Sequence, residues 1–597
     1  MSVRRIDDYG YLADGRTGAL VGRDGSVDWW CPTRFDAPSV FARVLDDDGG
    51  HWSIRPAGDY RVERDYLPDT LVLRTVFHTG DGSVAVTDAL ALGCGRGHDI
   101  GLEPPALLLR LVEGLAGQVP MEMAYAPHFE YGRVRAYLET RGQQVVGSAA
   151  GGTLGMTATV PVDCRKTSAS AAFAVAAGQR ETFALAHWST YHEGQPIPPD
   201  VPAALADTVE GWRSWMSEHD YVGQHSDPVR RSTLVLKGLT YQPSGGVVAA
   251  ATTSVPVRPE GHDNYDYRYV WLRDFSLTLR MLSVAACPTE ADRLFGWLAE
   301  SVGDVDLTAI PILLGVEGER DLAERELGTL GGPGGPVLLG NDAWRQRQQD
   351  VLGQVLDAAW LLRRRLDPMP VSVRRLLRSL TERAVETWRL PDSGVWELRD
   401  RERHYLTGKM GCWIALDRAV RFGAVLGGPD ELARWAAVRD EIRRVTLEDG
   451  WNPRVGAYTE ALGSDRLDAS VLAFPLVGIV SATDPRMRAT IERIERELTT
   501  DGLVRRWPGD AAGFVICSFW LVGCLALLGE QDRAEDLFTR MMARTNDLGL
   551  FAEQIDLRTG EQLGNFPQAF SHIGVISAAW RLTSATTGRP TPETTVI

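Results

Sequence analysis

The chain has 597 residues, of which 44% are hydrophobic and 24% are charged, a composition typical of globular proteins rather than of collagen-like or disordered chains. Its 63 basic and 79 acidic residues give a net charge of −16. Such an acidic chain repels phosphate backbones, so nucleic acid is not an expected partner. No apolar run approaches the roughly 18 residues of a membrane span, which excludes a transmembrane role. At roughly 100–200 residues per domain, the length predicts two to four domains.

The N-terminal region has the pattern of short strands separated by glycine turns. Apolar, β-branched runs at 71–77 and 84–87 flank Gly80-Asp81-Gly82-Ser83, which is a hairpin signal. Regular short strands with glycine turns predict an antiparallel β-sandwich. A tryptophan-containing helix is predicted over 212–219, at the end of this region. We therefore place the first domain at residues 1–220.

From about residue 228, apolar residues recur at helical spacing. Such stretches cover residues 229–242, 275–286, 349–366, 372–388, 411–425, 429–446, 486–498, 515–528, 534–542 and 571–583. Around a dozen helices predict a helical toroid or solenoid over a second domain, residues 221–597. The absence of a repeat of fixed period argues against an array of short helical repeats. The run GGPGGP at 331–336 predicts a loop that interrupts the helices.

The cysteines and the first residues bear on the compartment. The basic start of the chain has no apolar stretch behind it, so we expect a cytoplasmic protein rather than a secreted one. The seven cysteines are widely spread and form no CxxC pair, so we expect small buried side chains rather than metal ligands or disulfides. They are Cys31, Cys94, Cys164, Cys287, Cys412, Cys517 and Cys524.

One segment, residues 262–274, has a composition unlike that of a protein core. Its sequence HDNYDYRYVWLRD interleaves aromatic residues with Asp, Asn and Arg, and buried charges need partners. Carboxylates and guanidinium groups bind sugar hydroxyls in pairs, and aromatic rings stack on the apolar faces of sugars. The segment therefore indicates a carbohydrate site, with a buried ion-pair cluster as the alternative.

Two carboxyls stand in settings that suit acid–base chemistry. Glu397 follows Trp396, and an adjacent indole can raise the pKa of a carboxyl toward that of a general acid. Glu553 lies in a later segment, 546–554, ahead of another polar and aromatic run at 564–572. Cleavage of a glycosidic bond requires one carboxyl as proton donor and one as base. Spacing alone does not single out this pair among 79 acidic residues.

A series of motifs runs nearly from end to end of the chain. They are IDDY (6–9), GSVDWW (25–30), RFDAP (34–38), YRYVWLRD (267–274), GN (340–341), QDV (349–351), WE (396–397), Lys409 with WIALDRA (413–419), LDAS (467–470), CSFWL (517–521) and the block 547–572. In these motifs, and in their order, the sequence resembles the glucoamylase/trehalase-type glycoside hydrolases of family 15, in their bacterial form. Members have an N-terminal β-sandwich followed by a catalytic (α/α)6 barrel, which agrees with the two patterns above.

The resemblance implies roles for individual residues. Glu397 would protonate the glycosidic oxygen, and Glu553 would activate water on the opposite face of the ring, so that the reaction inverts the anomeric centre. No metal or other cofactor is required for this chemistry. The residues that the resemblance assigns to sugar binding are Tyr267, Trp271, Arg273, Asp274, Trp396, Arg399, Lys409, Arg506 and Trp507. His572 is placed either in the pocket or in the core. The loop 34–36 either reaches the barrel mouth or joins the domains.

Three positions depart from the pattern of the family. Ala512, Gln354 and Val257 stand where bacterial members commonly carry a glutamate. Neither catalytic candidate is lost. The missing carboxyls are expected in or near the sugar subsites, so these departures bear on the choice of substrate.

The leading interpretation is an inverting, exo-acting hydrolase that releases β-D-glucose from a small α-glucoside, either trehalose or a short malto- or isomalto-oligosaccharide. A disaccharide phosphorylase is an alternative, but it uses phosphate in place of base-activated water and so has no need of Glu553. A non-catalytic sugar-binding protein is a second alternative, against which the intact pair Glu397 and Glu553 argues. The partner expected in each case is a small carbohydrate, and the sequence indicates no oligomeric state.

Overall fold

The structure, a computed structural model, describes residues 4–190, 199–219, 221–257, 264–285, 288–303, 310–328, 336–399 and 402–587. Three sequence predictions fall partly or wholly outside these residues: the start of the sugar-binding segment at His262 and Asp263, the cysteine at 287, and the glycine–proline loop over 331–335.

The N-terminal domain is built from antiparallel strands. They are β1 (Tyr9–Ala13), β2 (Gly18–Gly22), β3 (Ser26–Trp30), β4 (Phe41–Ala42), β5 (His51–Pro56), β6 (Arg61–Tyr66), β7 (Leu73–Thr79), β8 (Gly82–Leu90), β9 (Leu107–Ala126), β10 (His128–Phe129), β11 (Val134–Arg135), β12 (Tyr137–Arg141), β13 (Gln144–Ala149), β14 (Gly152–Ala158), β15 (Asp163–Cys164), β16 (Ala169–Ala176) and β17 (Arg180–Ser189). The predicted hairpin is β7–β8, in which Thr79 pairs with Gly82 across a two-residue turn.

The long strand β9 divides this sheet into two halves. Its first part pairs with β8 and β17, and its last part pairs with β5 and β16. The halves pack against each other, since β1 contacts β7 and β8, and the Arg110 guanidinium on β9 donates to the Trp52 and Gly25 carbonyls. The predicted antiparallel sandwich is confirmed, and its core holds the fully buried Trp29, Trp30 and Trp52.

The remainder of the described chain is mainly helical. Its helices are α1 (Val201–Met216), α2 (Ser226–Gly238), α3 (Leu272–Val284), α4 (Pro288–Gly303), α5 (Asp350–Leu361), α6 (Val371–Thr387), α7 (Leu406–Phe422), α8 (Pro429–Glu448), α9 (Ala473–Val477), α10 (Pro485–Leu498), α11 (Val515–Leu527), α12 (Gln531–Met542) and α13 (Ala569–Thr587). The predicted helix over 212–219 starts earlier and ends earlier, because Asp200 caps α1 and the helix ends at Met216. The sequence patterns did not predict α4 or the short α9.

Six helices form a closed inner ring. α3 packs against α5 and α5 against α7, which contacts the 3₁₀ turn Ala469–Leu472 that runs into α9. From α9 the ring continues through α11 and α13 back to α3. The helices α2, α4, α6, α8, α10 and α12 alternate with these in sequence and pack outside them. The predicted (α/α)6 barrel is therefore confirmed, and in this order α7 and α13 lie opposite each other.

The burial pattern explains which helices lie inside. In α11 every residue from Val515 to Ala526 is buried, as expected of a helix that is apolar all round. The outer helix α10 buries a single stripe at helical spacing, which consists of Met487, Thr490, Ile491, Ile494 and Leu498. No helix in the described part of the chain is long and apolar enough to cross a membrane.

The segments that lead from an outer helix into the next inner helix all lie at one end of the ring, because the inner helices run in the same direction. Short strands brace these segments. They are β18 (Thr240–Tyr241), β19 (Gly246–Val247), β20 (Val270–Trp271), β21 (Leu313–Leu314), β22 (Arg325–Leu327), β23 (Val337–Leu339), β24 (Trp451–Asn452), β25 (Ala457–Tyr458), β26 (Thr499–Thr500), β27 (Leu503–Val504), β28 (Ala512–Phe514), β29 (Gln554–Asp556) and β30 (Gln562–Leu563).

The loop 34–36 joins the two domains. The Arg34 guanidinium pairs with Glu317 at 2.9 Å and with Glu319 at 2.7 Å, both in the segment before α5. Arg268, ahead of α3, donates to the carbonyls of Phe35 and Ala37. These contacts join the domains at the end of the barrel where the inner helices begin, so both roles expected for this loop remain open.

The described cysteines only partly match their prediction. Cys31, Cys412, Cys517 and Cys524 are buried, as expected of small apolar side chains. Cys94 is exposed and Cys164 is half-buried, because they lie in a loop and in the two-residue strand β15. All six are free thiols.

Candidate active site

A pocket of about 440 Å³ opens at the end of the barrel where the inner helices begin. The segments that precede α3, α7, α11 and α13 all contribute to it. Eight of the eleven residues assigned to the site from the sequence line this pocket: Tyr267, Trp271, Arg273, Asp274, Trp396, Glu397, Arg506 and Glu553.

Local structure fixes the residues before α3. Val270 and Trp271 form β20, which pairs with β21, and α3 begins at the next residue. Arg273 and Asp274 therefore lie in the first helical turn, where the helix dipole favours a carboxylate. The Arg273 Nε donates to Asp274 at 3.0 Å, and its Nη1 donates to the Val395 carbonyl at 3.0 Å.

Glu397 lies in a tight turn between α6 and α7. Its φ of +57° is in the left-handed region, which is uncommon for a residue other than glycine. Its amide donates to the Gly394 carbonyl at 3.2 Å, so the turn is hydrogen-bonded. Strained backbone of this kind persists where the surroundings enforce it, and it is concentrated at functional sites.

The Glu397 carboxyl is partly buried and is surrounded by donors. Its Oε1 accepts from the Trp271 indole at 2.7 Å and lies 3.5 Å from the Arg273 guanidinium. Burial raises the pKa of Glu397 to about 7, although Arg273 and hydrogen bonds from Trp271 and Gln348 oppose the shift. At neutral pH this carboxyl is therefore close to half protonated.

Glu553 reaches the pocket from the segment before α13. The pairing of β28 with β29 sets Phe514 beside Gln554, and the Val515 amide donates to the Glu553 carbonyl at 3.1 Å. The Glu553 Oε1 accepts from the Tyr267 hydroxyl at 2.9 Å. Burial raises the pKa of Glu553 above its ordinary value, and Arg506 and the hydrogen bond from Tyr267 oppose that rise.

Trp396 and Arg506 form the part of the pocket between these two carboxyls. The Trp396 indole donates to Asp468 at 3.0 Å, and the Arg506 Nε donates to Asp510 at 2.9 Å. The Arg506 guanidinium also lies 5.0 Å from the ring centroid of Phe514. Trp396 and Arg506 are thus each held in place by a hydrogen bond to a buried carboxylate.

Three residues assigned to sugar binding do not line the pocket. Arg399 donates to Glu324 at 3.0 and 2.7 Å and stacks on Tyr265. Lys409 is buried on α7 and donates to the Leu390 carbonyl at 2.7 Å, because the helix points it toward the loop after α6. Trp507 stacks between the guanidinium groups of Arg506 and Arg466.

His572 belongs to the core. Its ring is fully buried on α13 and is hydrogen-bonded to Ser232 and to the Phe551 amide. Burial lowers the pKa of His572 to about 3, so it is neutral.

Five lining residues were not assigned from the sequence: Ala249, Val395, Phe514, Gln568 and Phe570. Gln568 and Phe570 belong to the block that carried the resemblance, so their motif could have indicated them. Phe514 follows Ala512 and Gly513 in β28, and only the pairing with β29 brings it to the pocket.

The three departures from the family pattern fall close to the site. Ala512 is buried in β28, and Asp510, two residues earlier, provides the carboxylate that pairs with Arg506. A Cβ at Gly564 would meet Val257 and Glu553, so Val257 lies near the base candidate. Gln354 is buried on the inner helix α5.

Comparisons with known proteins show the family of the chain. The family model described as glycosyl hydrolases family 15 matches residues 223–526 and 526–580, and a trehalase-like N-terminal model matches residues 1–187. The chain belongs to glycosyl hydrolase family 15. It is therefore a glycoside hydrolase of the trehalase/glucoamylase type.

Named relatives cover nearly the whole chain. A trehalase of Mycolicibacterium smegmatis is 36% identical, over 96% of this chain and 90% of that protein. Trehalase 1 of Sulfolobus acidocaldarius is 30% identical, over 95% of this chain and 97% of its own length. A bacterial glucoamylase solved with acarbose superposes with a TM-score of 0.74 at 12% identity, over 99% of this chain and 96% of that one, which supports the fold.

No cluster of three or more His, Cys, Asp or Glu side chains that could hold a metal ion occurs in the described ranges. The groups at the pocket can donate and accept protons and can form paired hydrogen bonds to hydroxyls. They fit the acid–base cleavage of a glycoside.

Proposed function

We propose that the protein hydrolyses trehalose by an inverting, exo-acting mechanism that releases β-D-glucose, with Glu397 as general acid and Glu553 as general base. The observation that carries the proposal is that two carboxyls, the partly buried Glu397 and the buried Glu553, line one pocket, which they enter from the segments before α7 and α13. The choice of trehalose over malto- or isomalto-oligosaccharides follows the named trehalases among the relatives.

The reaction would proceed in one displacement. Glu397, with its pKa raised to about 7, gives its proton to the glycosidic oxygen as the bond to C1 breaks. Glu553 takes a proton from a water molecule, and that water adds to C1 on the other face. The Tyr267 hydroxyl, which donates to Glu553, orients this carboxylate as an acceptor.

The other lining residues would hold the glucose that is released. Arg273 and Asp274, already paired, present a donor and an acceptor together to neighbouring hydroxyls. Arg506 presents a second guanidinium, while Trp271, Trp396 and the rings behind them exclude water. We include Arg399, Lys409 and Trp507 only as positioning residues, because each lies behind the pocket lining.

The proposal also includes a domain boundary and a location in the cell. We place the domain boundary at residues 220 and 221, since α1 packs on β9 and β17 whereas α2 belongs to the outer ring. We propose a cytoplasmic location and a small carbohydrate as the only substrate partner.

Proton NMR of the purified protein tests this proposal directly. With trehalose we expect α- and β-glucose to appear at first in equal amounts, at a rate independent of phosphate, because the attacked glucose is inverted and the leaving glucose keeps its α-anomeric carbon. Maltose and isomaltose are assayed in separate samples. Glucose 1-phosphate formed only with phosphate would identify a phosphorylase instead. Formation of α-glucose alone at early times would contradict inversion, and turnover of maltose but not of trehalose would contradict the choice of trehalose.

A further inference from the structure

A second cavity, which we call the arginine cleft, adjoins the acid side of the pocket. It encloses about 1360 Å³, its open mouth included, and is lined by the segments before α5 and by the end of α6. Among its thirteen described lining residues, four are arginines (Arg320, Arg345, Arg347 and Arg383) and one, Glu402, is acidic.

The excess of basic over acidic residues in the cleft is the reverse of the balance in the whole chain. The whole chain has 63 basic against 79 acidic residues, and the pocket itself has two arginines against three carboxyls. The pocket arginines are paired, Arg273 with Asp274 and Arg506 with Asp510. In the cleft, Arg347 lies 3.7 Å from Glu402, a loose contact, and Arg345 stacks on the Trp344 ring. The cleft therefore attracts anions, and a planar guanidinium suits the oxygens of a phosphate.

The cleft is connected to the acid through its own lining. The Gln346 side chain donates to the Glu397 carbonyl at 3.1 Å, and Gln348 is hydrogen-bonded to the Glu397 carboxyl. Both glutamines line the cleft. The general acid protonates the oxygen that leaves with the second sugar, so the leaving half of the substrate departs on the side where the cleft lies.

We propose that the arginine cleft binds the leaving sugar and that the preferred substrate carries an anionic group, of the phosphate type, on that sugar. The inference rests on the proposed hydrolysis of an α-glucoside. Water supplies the hydroxyl to C1 of the released glucose, Glu397 supplies the proton to the leaving oxygen, and the other product is a sugar phosphate. Trp344 and Leu352 provide apolar surface for the ring of this sugar, and the arginines bind its phosphate.

Kinetics with matched substrates test the proposal. We expect the kcat/KM for trehalose 6-phosphate to exceed that for trehalose by at least tenfold, and the preference to fall at high salt. The double variant Arg345→Gln/Arg347→Gln should lose this preference. The control Arg61→Gln removes one exposed arginine from β6 of the sandwich, which is not among the residues that line the cleft, and should keep the preference. Equal kcat/KM values for the two substrates in the wild type would overturn the proposal.

A binding measurement tests the arginine cleft independently of the proposed hydrolysis. In calorimetric titrations we expect glucose 6-phosphate to bind the wild type, and to bind the double variant at least tenfold more weakly, while glucose and inorganic phosphate bind far less tightly. Inorganic phosphate that binds as well as glucose 6-phosphate would assign the cleft to free anions and refute a phosphorylated leaving sugar. If trehalose and its phosphate are both inert, the hydrolase proposal fails, and these titrations still decide what the cleft binds. Thermal melting of each variant checks that it is folded.

Discussion

The two sides of the pocket hold the same functional group in different surroundings. On the α7 side, Glu397 lies in a strained turn and accepts from the neutral Trp271 indole, and its pKa is raised to about 7. On the α13 side, Glu553 immediately precedes β29 and accepts from the Tyr267 hydroxyl. A tyrosine hydroxyl that donates a hydrogen bond to a carboxyl group favours its ionised form. The pKa of about 7 for Glu397 supports the proposal that this carboxyl is the acid and Glu553 the base.

Removal of each carboxyl tests this assignment and has the largest expected effect. Glu397→Gln and Glu553→Gln should each lower kcat for trehalose by roughly 10²–10⁴-fold, the usual worth of a general acid or base. With α-glucosyl fluoride, whose leaving group needs no protonation, Glu397→Gln should regain much of its rate and Glu553→Gln should not. Rescue of the Glu553 variant, or of neither, would contradict the assignment.

The next largest effect is expected at Asp510, which pairs with Arg506 of the pocket lining. Asp510→Asn keeps the shape of the side chain but removes the charge that pairs with Arg506, and loss of one partner of a buried pair costs about 3–5 kcal/mol. We expect KM for trehalose to rise by roughly tenfold, as Arg506 moves, with a smaller change in kcat. The control is Asp501→Asn, an exposed aspartate on the preceding hairpin. A lower melting temperature with an unchanged KM would show that Asp510 serves stability alone.

Asp510 also illustrates which features of the site could be predicted from the sequence and which could not. The change from a strand pattern to a helical pattern predicted the two domains, because apolar spacing is a local signal. The resemblance to family 15 implied the (α/α)6 barrel and eight of the residues that line the pocket. The carboxylate that pairs with Arg506 could not be predicted in this way, because neither pattern fixes which side chains meet. Arg399 and Lys409 were assigned to sugar binding for the same reason: nearness to Glu397 in sequence does not fix the direction of a side chain. The arginine cleft is assembled from segments far apart in sequence, and no single motif indicates it.

The pH profile separates the two sides of the pocket more finely. The acid must be protonated, so kcat/KM should fall as pH rises through about 7, and the base must be ionised, so kcat/KM should fall at low pH through a pKa above 4.5. The Trp271 hydrogen bond favours ionised Glu397, so Trp271→Phe should raise the pKa of the acid and move the alkaline limb upward by about one unit. The acidic limb should stay in place. Movement of the acidic limb instead would place Trp271 on the side of the base.

The smallest expected effect concerns Arg399, which lies next to the turn that contains Glu397. Arg399, two residues after Glu397, pairs with Glu324 and stacks on Tyr265 at a partly exposed site. Such pairs contribute about 0.2–1 kcal/mol, so Arg399→Gln should lower kcat for trehalose by about two- to fivefold and leave KM unchanged. Arg325→Gln, which removes an exposed arginine from the adjacent strand β22, is the control. A rise in KM of tenfold or more would mean that Arg399 contacts the sugar, as its place in the sequence first suggested. An effect on kcat alone, without a shift of the acidic limb, would confine its role to the Glu397 side of the pocket.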